Sequence, residues 1–250
     1  PQVRVLDFDM PYPVPARESI ACFTPASYAR FECFRLLDQY ERVLFLDSDV
    51  LVRNELDDLF GKLEHGIAFT LDPVMTTVSR NFFSVPACVN PQAPGYNAGV
   101  FALTRALPRP SGGYAAVTDW LYEKMAQWAD EVFLPDQAVI NVAVEHFGWQ
   151  VTVLPRDYNR PASASHRELK RAFVVHSTGP RKFWCYYYFR DWYNWYARWI
   201  EQGGEPVSVR KDSPRYLNFC QKFGLQHKVF FQLMPDFFAH PTKALRFAIK

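Results

Sequence analysis

The 250-residue sequence has little of several features that would each indicate a class of protein. It has almost no net charge, because 28 Lys and Arg balance 26 Asp and Glu to leave +2, so charge gives no indication of nucleic acid as a partner. No apolar run approaches the roughly 18 to 20 residues that span a bilayer, and the first residues have no signal-peptide pattern. The sequence also has no internal repeat and no low-complexity block.

Cysteine is scarce and unpaired. The five cysteines are Cys22, Cys33, Cys88, Cys185 and Cys220. An odd number without paired spacing argues against a disulfide framework or a zinc site, so we expect reduced thiols and a cytoplasmic protein. Residues 226–250 mix aromatic with basic side chains, which suits peripheral contact with the inner face of a membrane. A solvated terminal helix explains the same pattern equally well.

Apolar and aromatic residues are abundant, at 49% and 17% of the chain. That content is enough for one sizeable core. We therefore expect one domain over residues 1–200 and a helical extension over residues 201–250.

Predicted strands alternate with predicted helices along the sequence, which indicates an α/β fold with a mixed, mostly parallel sheet flanked by helices. Helical spacing is found at 25–40, 114–129 and 136–147, and buried strands are predicted at 43–46, 67–71, 99–103, 151–154 and 173–175. Loops are predicted at 86–94 and 108–113, where Pro and Gly interrupt the pattern. In such folds ligands collect where strands end, so polar residues at these positions are the candidates for a site.

Asp47 and Asp49 follow the predicted strand at 43–46. Side chains alternate along a strand, so both carboxylates can point to the same side, with Ser48 opposite. Two close carboxylates repel each other unless a cation lies between them, and Mg²⁺ or Mn²⁺ fits that role. The alternative is an acidic corner that only faces water.

His176 ends a second apolar run and is followed by Gly179 and Lys182. An imidazole nitrogen added to two carboxylates favours Mn²⁺, although Mg²⁺ stays open. Glycine lets the backbone approach a phosphate closely, and lysine offers it a positive charge. A histidine at such a position also occurs as a hydrogen-bonded core residue.

Four motifs in this order resemble the family-8 retaining glycosyltransferases, a family that includes glycogenin and lipopolysaccharide galactosyl- and glucosyltransferases. The motifs are Arg42-Val-Leu-Phe-Leu-Asp-Ser-Asp49, Tyr96-Asn-Ala-Gly-Val100, Leu134-Pro-Asp-Gln137 and His176-Ser-Thr-Gly-Pro-Arg-Lys182-Phe-Trp184. With Ser27-Tyr-Ala-Arg30, the resemblance covers roughly residues 20–185.

The resemblance implies a GT-A nucleotide-diphospho-sugar transferase fold with Mn²⁺ bound by Asp47, Asp49 and His176. Gly179 and Lys182 would hold the donor diphosphate, to which the ion also binds. By the same resemblance Arg30 contacts the donor and Asn97 and Ala98 line its sugar. Asp136 and Gln137 lie beside the anomeric carbon, although a helix start after Pro135 also explains them.

The resemblance further implies transfer of glucose or galactose, with retained anomeric configuration, from a UDP-hexose to a glycan or glycolipid acceptor. Surface polysaccharide or lipopolysaccharide is the expected acceptor, with self-glucosylation of a tyrosine as the second choice. Members of the family usually open with a strand that holds the nucleotide base, and residues 1–20 do not match it. We expect that segment either to lie outside these 250 residues or to be absent.

Aromatic residues at helical spacing predict a further helix within 183–199, with one face in the core and rings on the other free to stack on acceptor sugar. The aromatics at that spacing are Trp184, Tyr188, Trp192, Trp195 and Trp199.

Two other functions remain open at this point. A haloacid-dehalogenase-type phosphatase would use Asp47 as its nucleophile, but it would leave the motifs at Asn97 and His176 unexplained. A domain that binds nucleotide or glycan without turnover is the other possibility.

Overall fold

The computed structural model describes residues 25–179, 182–183 and 189–205 and the isolated positions 8 and 11. The expectations for residues 1–20, for Trp184 and Tyr188 and for 226–250 fall outside these residues. Among the described residues, no helix is long and apolar enough to cross a membrane.

The described residues form both strands and helices. The strands are β1 (Arg42–Leu46), β2 (Val50–Val52), β3 (Ile67–Leu71), β4 (Tyr96–Thr104), β5 (Thr152–Val153), β6 (Arg160–Pro161) and β7 (Val174–His176). The α-helices are α1 (Glu32–Leu36), α2 (Gly113–Gln127), α3 (Pro135–His146), α4 (His166–Arg171) and α5 (Arg190–Glu201). The predicted α/β class is confirmed.

Most predicted elements are found within a residue or two of their expected bounds. The helix predicted over 25–40 is an exception, because Pro25–Phe31 is a 3-10 helix and only Glu32–Leu36 is α-helical. In this 3-10 segment the Arg30 guanidinium donates to the Ser27 carbonyl three residues earlier. Strands β2 and β6 and helix α4 were not predicted, because segments this short carry almost no periodic signal.

The chain divides into two compact units. The first comprises Pro1–Leu46 and Leu56–Pro155, and the second comprises Asp47–Glu55 and Arg156–Lys250. The expected division into a domain at 1–200 and an extension at 201–250 stays a prediction.

The described residues of the first unit form a four-stranded sheet in the order β1-β4-β3-β5. Strand β4 runs antiparallel to both β1 and β3, and only β5 lies parallel to β3. The sheet is therefore mixed as predicted, but the expectation that most strands are parallel is wrong for the described strands. Residues 72–95 link β3 to β4 with one short 3-10 turn instead of a crossover helix, so the chain returns in the opposite direction.

Aromatic rings fill much of the core of the first unit. The Phe34 ring stacks on Trp149 with centroids 5.6 Å apart, and Phe101 at the centre of β4 stacks on Phe45 at 5.1 Å. Phe34 and Phe101 are fully buried. Rings of this size account for much of the apolar area that a core removes from water.

Strand β4 contains a bulge beside β3. Phe69 pairs with Phe101, but its neighbour Thr70 pairs with Asn97, so three residues, Ala98–Val100, lie opposite one step of β3. Bulges of this kind leave backbone groups outside the ladder, and these groups then need other partners.

In the part of the second unit that the structure describes, three strands form a sheet in the order β2-β7-β6, antiparallel between β2 and β7 and parallel between β6 and β7. Its buried apolar cluster includes, among the described residues, Leu51, Ala162, Leu169, Ala172, Val175, Phe183 and Phe189. Helix α4 begins with a capping box, in which Ser165 and Glu168 satisfy each other's backbone N–H groups.

The tryptophans of helix α5 are divided between the core and solvent. Trp192 packs against the core of the second unit, but Trp195 and Trp199 are exposed. The Arg198 guanidinium lies over the Trp195 ring at 5.1 Å, and the Trp199 indole donates to the Glu205 carbonyl at 2.9 Å. Helical spacing therefore did not place these three tryptophans on one buried face.

Candidate active site

Asp47 and Asp49 lie in the short connection between β1 and β2. Asp47 follows β1 directly, and Ser48 and Asp49 form a turn before Val50 begins β2. The carboxylates therefore converge through a turn, which corrects the expectation that alternation along an extended strand brings them together. Asp49 is buried, whereas Asp47 is partly exposed.

His176 is the last residue of β7 and pairs with Val50 in the register of β2 and β7. This pairing places its imidazole beside the preceding turn. Its Nε2 lies 3.3 Å from Asp49 Oδ1 and 3.6 Å from Asp47 Oδ2. The other ring nitrogen, Nδ1, lies 2.9 Å from Asn159 Oδ1. His176 therefore faces both carboxylates and does not point into an apolar core.

Lys182 adds a positive charge to this cluster. Its ammonium donates to Asp49 Oδ2 and, at 3.0 Å, to the Ser177 carbonyl. Burial by itself would raise the pKa of Asp49, but the hydrogen bonds and charges of His176 and Lys182 outweigh it and lower the pKa to about 2. Asp49 is therefore ionised at neutral pH.

Gly179 has a positive φ of +73°, a conformation that side chains other than glycine rarely adopt. No atom of the described residues lies within 4 Å of a Cβ built at this position. The conformation of the backbone by itself favours glycine between His176 and Lys182.

Asp47, Asp49 and His176 have the chemistry to hold a divalent cation. One ligand atom from each lies within 4.8 Å of the others. Adjacent ligands around an ion with bonds of about 2.1 Å lie about 3 Å apart, which is close to the separations around His176 Nε2. Two carboxylates and an imidazole suit a first-row cation such as Mn²⁺ better than they suit Mg²⁺.

The bulge of β4 is the centre of a second polar cluster, within the first unit. The Ala98 N–H donates to Gln137 Oε1 at 3.2 Å, and the Gly99 N–H donates to Asn97 Oδ1 at 3.0 Å. The Ala98 carbonyl accepts from Arg30 at 3.0 Å. Side chains thus supply the partners that the strand ladder does not.

Asp136 and Gln137 lie in the first turn of α3, where negative charge is favoured by the helix dipole. Asp136 forms a 2.9 Å ion pair with Arg30, and both side chains are less than one-tenth exposed. The Arg30 guanidinium also lies over the Phe45 ring at 4.9 Å. The structure therefore brings Arg30, Asn97, Ala98, Asp136 and Gln137 together, and their roles toward a donor stay predictions.

Three polar residues of these clusters were not predicted from the sequence. Asp72 and Asn81 both accept from the Gln137 amide, and Asn159 accepts from His176. Asp72 directly follows β3, so it carries the same signal as Asp47, a polar residue at the end of a strand. Asn81 and Asn159 lie near 3-10 turns that give no comparable signal.

Comparison with known families decides the assignment. Residues 15–187 match glycosyl transferase family 8. The chain belongs to this family. The match agrees closely with the roughly 20–185 span of the motifs, and it supports the implied GT-A fold over the phosphatase alternative.

Among curated proteins, the family-8 chain is similar to glycosyltransferase GlyA of Streptococcus pneumoniae serotype 4, with 26% identity over 196 residues. The match covers 70% of this chain and 26% of GlyA, so the chain spans about a quarter of the length of that relative.

Solved structures with a similar fold include two glycosyltransferases. The galactosyltransferase LgtC, solved with donor and acceptor sugar analogues, has 21% identity and a TM-score of 0.47, covering 77% of this chain and 71% of LgtC. The bifunctional glycosyltransferase WbbM, solved in its apo form, has 19% identity and a TM-score of 0.49, covering 65% of this chain and 33% of WbbM.

Proposed function

We propose that this chain is the donor-binding catalytic part of a retaining hexosyltransferase that takes glucose or galactose from a UDP-hexose and depends on a divalent cation. The observation that carries the proposal is the convergence of Asp47, Asp49 and His176, whose ligand atoms lie within 4.8 Å of one another in a family-8 chain. Because the chain matches about a quarter of its curated relative, the activity of the whole protein is part of this proposal.

In this proposal the three residues hold Mn²⁺, with Mg²⁺ as the less favoured ion. When bound, the ion neutralises negative charge on the donor diphosphate and on the nucleoside diphosphate that leaves. Lys182 supplies a second positive charge for the same group. Gly179 has no side chain of its own to cover its peptide, so its backbone can approach a phosphate closely.

We assign the hexose to the polar cluster of the first unit. Asn97 and Ala98 line the sugar, and Arg30 holds this part of the bulge through the Ala98 carbonyl. Gln137 faces the anomeric carbon, where positive charge develops as the glycosidic bond to phosphate breaks, and its amide oxygen stabilises that charge. Asp136, neutralised in part by Arg30, adds a negative charge beside it.

The acceptor in this proposal is a glycan or glycolipid, with surface polysaccharide or lipopolysaccharide as the expected class. Support for this class comes from family membership. The Gln137 amide is a weak nucleophile and would not readily form a covalent intermediate with the sugar. Retention of the anomeric configuration therefore agrees with front-face attack by the acceptor hydroxyl.

A donor-hydrolysis screen tests the proposal. The protein is incubated with UDP-glucose, UDP-galactose or other nucleotide sugars, with Mn²⁺ or with EDTA, and released nucleoside diphosphate is measured. We expect release from a UDP-hexose only when the cation is present. Binding of UDP-hexose without release by the full-length protein would instead favour a domain that binds nucleotide sugar without turnover.

A further inference from the structure

Asp72 is a buried carboxylate to which the resemblance gave no role. It directly follows β3, and each of its oxygens accepts two hydrogen bonds. Oδ1 accepts from the backbone N–H groups of Val74 and Met75, both at 2.8 Å. Oδ2 accepts from the side-chain amides of Asn97 at 3.0 Å and Gln137 at 3.2 Å.

These four hydrogen bonds fill the acceptor positions of the Asp72 carboxylate. A carboxylate has about four lone-pair positions, and protein donors occupy all four in Asp72. A substrate hydroxyl or a cation would have to displace one of these donors to reach it. The geometry therefore favours a role in orienting its neighbours over direct contact with substrate.

The Gln137 amide has a single orientation that satisfies its partners. Asp72 Oδ2 can only accept, so it requires the Nε2 side of the amide, and the Ala98 N–H can only donate, so it requires Oε1. Asn81 Oδ1 takes the second hydrogen of Nε2 at 2.9 Å. A reversed amide would place an oxygen against the Asp72 carboxylate and an NH₂ group against a backbone N–H.

Asn81 is itself oriented by the backbone. It is fully buried, and its own amide nitrogen points at the Thr77 and Val78 carbonyls at 3.4 and 3.3 Å. Its oxygen consequently stays directed at Gln137. The three contacts of the Gln137 amide leave one lone pair of Oε1 for a ligand.

We propose that Asp72 is a positioning residue that fixes the orientation of the Gln137 amide, so that the remaining Oε1 lone pair is presented to the donor sugar. The proposal rests on the role of Gln137 given under the proposed function. It assigns Asp72 an effect on turnover through Gln137, and no contact with the donor or acceptor.

A cycle of three variants tests this relationship. Asp72→Asn places an amide NH₂ against the Asn97 and Gln137 amides, or else against two backbone N–H groups, so the orientation of Gln137 is lost. We expect turnover of the hydrolysed UDP-hexose to fall about 100-fold, with KM for that donor changed less than about threefold. Gln137→Glu sets a second carboxylate against Asp72 and should lower both turnover and melting temperature.

The double variant Asp72→Asn with Gln137→Glu exchanges donor and acceptor between the two positions. We expect its turnover to exceed that of either single variant by about tenfold. Its melting temperature should be only partly recovered, because the carboxylate at position 137 still faces the Asn81 oxygen and the amide at position 72 still faces that of Asn97. Asp38→Asn is the matched control, because Asp38 also accepts from a backbone N–H and pairs with an arginine, but it does not contact the Gln137 cluster. We expect its turnover to equal that of the unmodified protein.

Two results would overturn the proposal. The first is a double variant whose loss of turnover equals the product of the two single losses. The second is an Asp72→Asn protein that hydrolyses UDP-hexose with unchanged turnover, which would mean that Asp72 does not orient the Gln137 amide. If the unmodified protein hydrolyses no UDP-hexose, the proposed function fails. The melting temperatures then test the contact between Asp72 and the Gln137 amide by themselves, and a double variant no more stable than Gln137→Glu would show that Asp72 does not orient that amide.

Discussion

The Asn159 side-chain oxygen lies 2.9 Å from Nδ1 of His176. An amide oxygen only accepts, so Nδ1 carries the hydrogen and the opposite nitrogen, Nε2, is directed at Asp47 and Asp49. Metal-binding histidines in proteins are commonly held by such a contact, which fixes the ring orientation. The contact is therefore consistent with the proposed metal site.

Asn159→Ala should weaken Mn²⁺ binding about 10- to 100-fold, because the imidazole loses the partner that orients it. The affinity is measured by calorimetric titration of the metal-free protein. Asn54→Ala is the control, since the Asn54 amide donates to the Ala172 carbonyl and contacts none of the three proposed ligands. Equal affinities of the two variants would argue against this role for Asn159.

Asp49→Ala and Asp47→Asn should each remove Mn²⁺ binding and donor turnover, because either change takes a hard anionic ligand from a site with few protein ligands. Asp191→Asn removes a carboxylate of the same unit that pairs with Arg53, and it should change neither quantity. If protein treated with EDTA hydrolyses donor as fast as Mn²⁺-loaded protein, the metal hypothesis is wrong.

Gln137→Ala should lower turnover about 100-fold and leave donor affinity nearly unchanged, because a group beside the anomeric carbon acts mainly as charge develops there. Steady-state kinetics over a range of donor concentrations separates the two effects. Gln127→Ala, at the end of α2, is the matched control and should behave as the unmodified protein. Loss of donor binding at unchanged turnover would contradict the role given to Gln137.

Arg30→Met should reduce the free energy of unfolding by about 3–5 kcal/mol, because it leaves the buried Asp136 carboxylate without its partner. Arg35→Met breaks the exposed pair with Asp119 and should cost about 0–1 kcal/mol. Urea unfolding of both variants gives the comparison. Similar losses for the two would mean that the buried pair stabilises the fold no more than a surface pair does.

Cys33 and Cys88 should differ sharply in reactivity. Burial raises the pKa of the Cys33 thiol to about 12, whereas Cys88 is exposed. Peptide mapping after brief iodoacetamide treatment at pH 8 should find Cys88 modified and Cys33 intact until the protein is unfolded. Since the folded state disfavours the Cys33 thiolate, its contribution to stability should be lost as pH rises from the unfolded pKa of about 8.5 towards 12.

The sequence predicted those parts of the candidate site that follow strands. Asp47, Asp49 and His176 each come after or at the end of an apolar run, and a run of this kind is visible without a structure. Asp72 has the same position, but its importance depends on Gln137, which lies 65 residues away along the chain. No local pattern records such a contact.

The direction of each strand and the position of the bulge also could not be predicted from the sequence. Hydrophobic periodicity locates a strand but does not say which neighbour it pairs with or in which direction. The nine-residue strand Tyr96–Thr104 is buried along most of its length, so its sequence shows no alternation that would mark the irregular residues Ala98–Val100. Their position depends on pairing with Phe69 and Thr70, which are far away in sequence.

Hydrogen exchange of the Ala98 amide, in the bulge of β4, can report on the state of the candidate site. The backbone amide of an ordinary strand residue exchanges its hydrogen with solvent when the sheet opens, but the Ala98 amide is bonded to the Gln137 side chain. Its exchange rate therefore depends on whether that side chain is in place. Exchange at Ala98, compared with Phe101 in the regular part of the same strand, would report whether the Gln137 side chain is in place, without substrate or turnover.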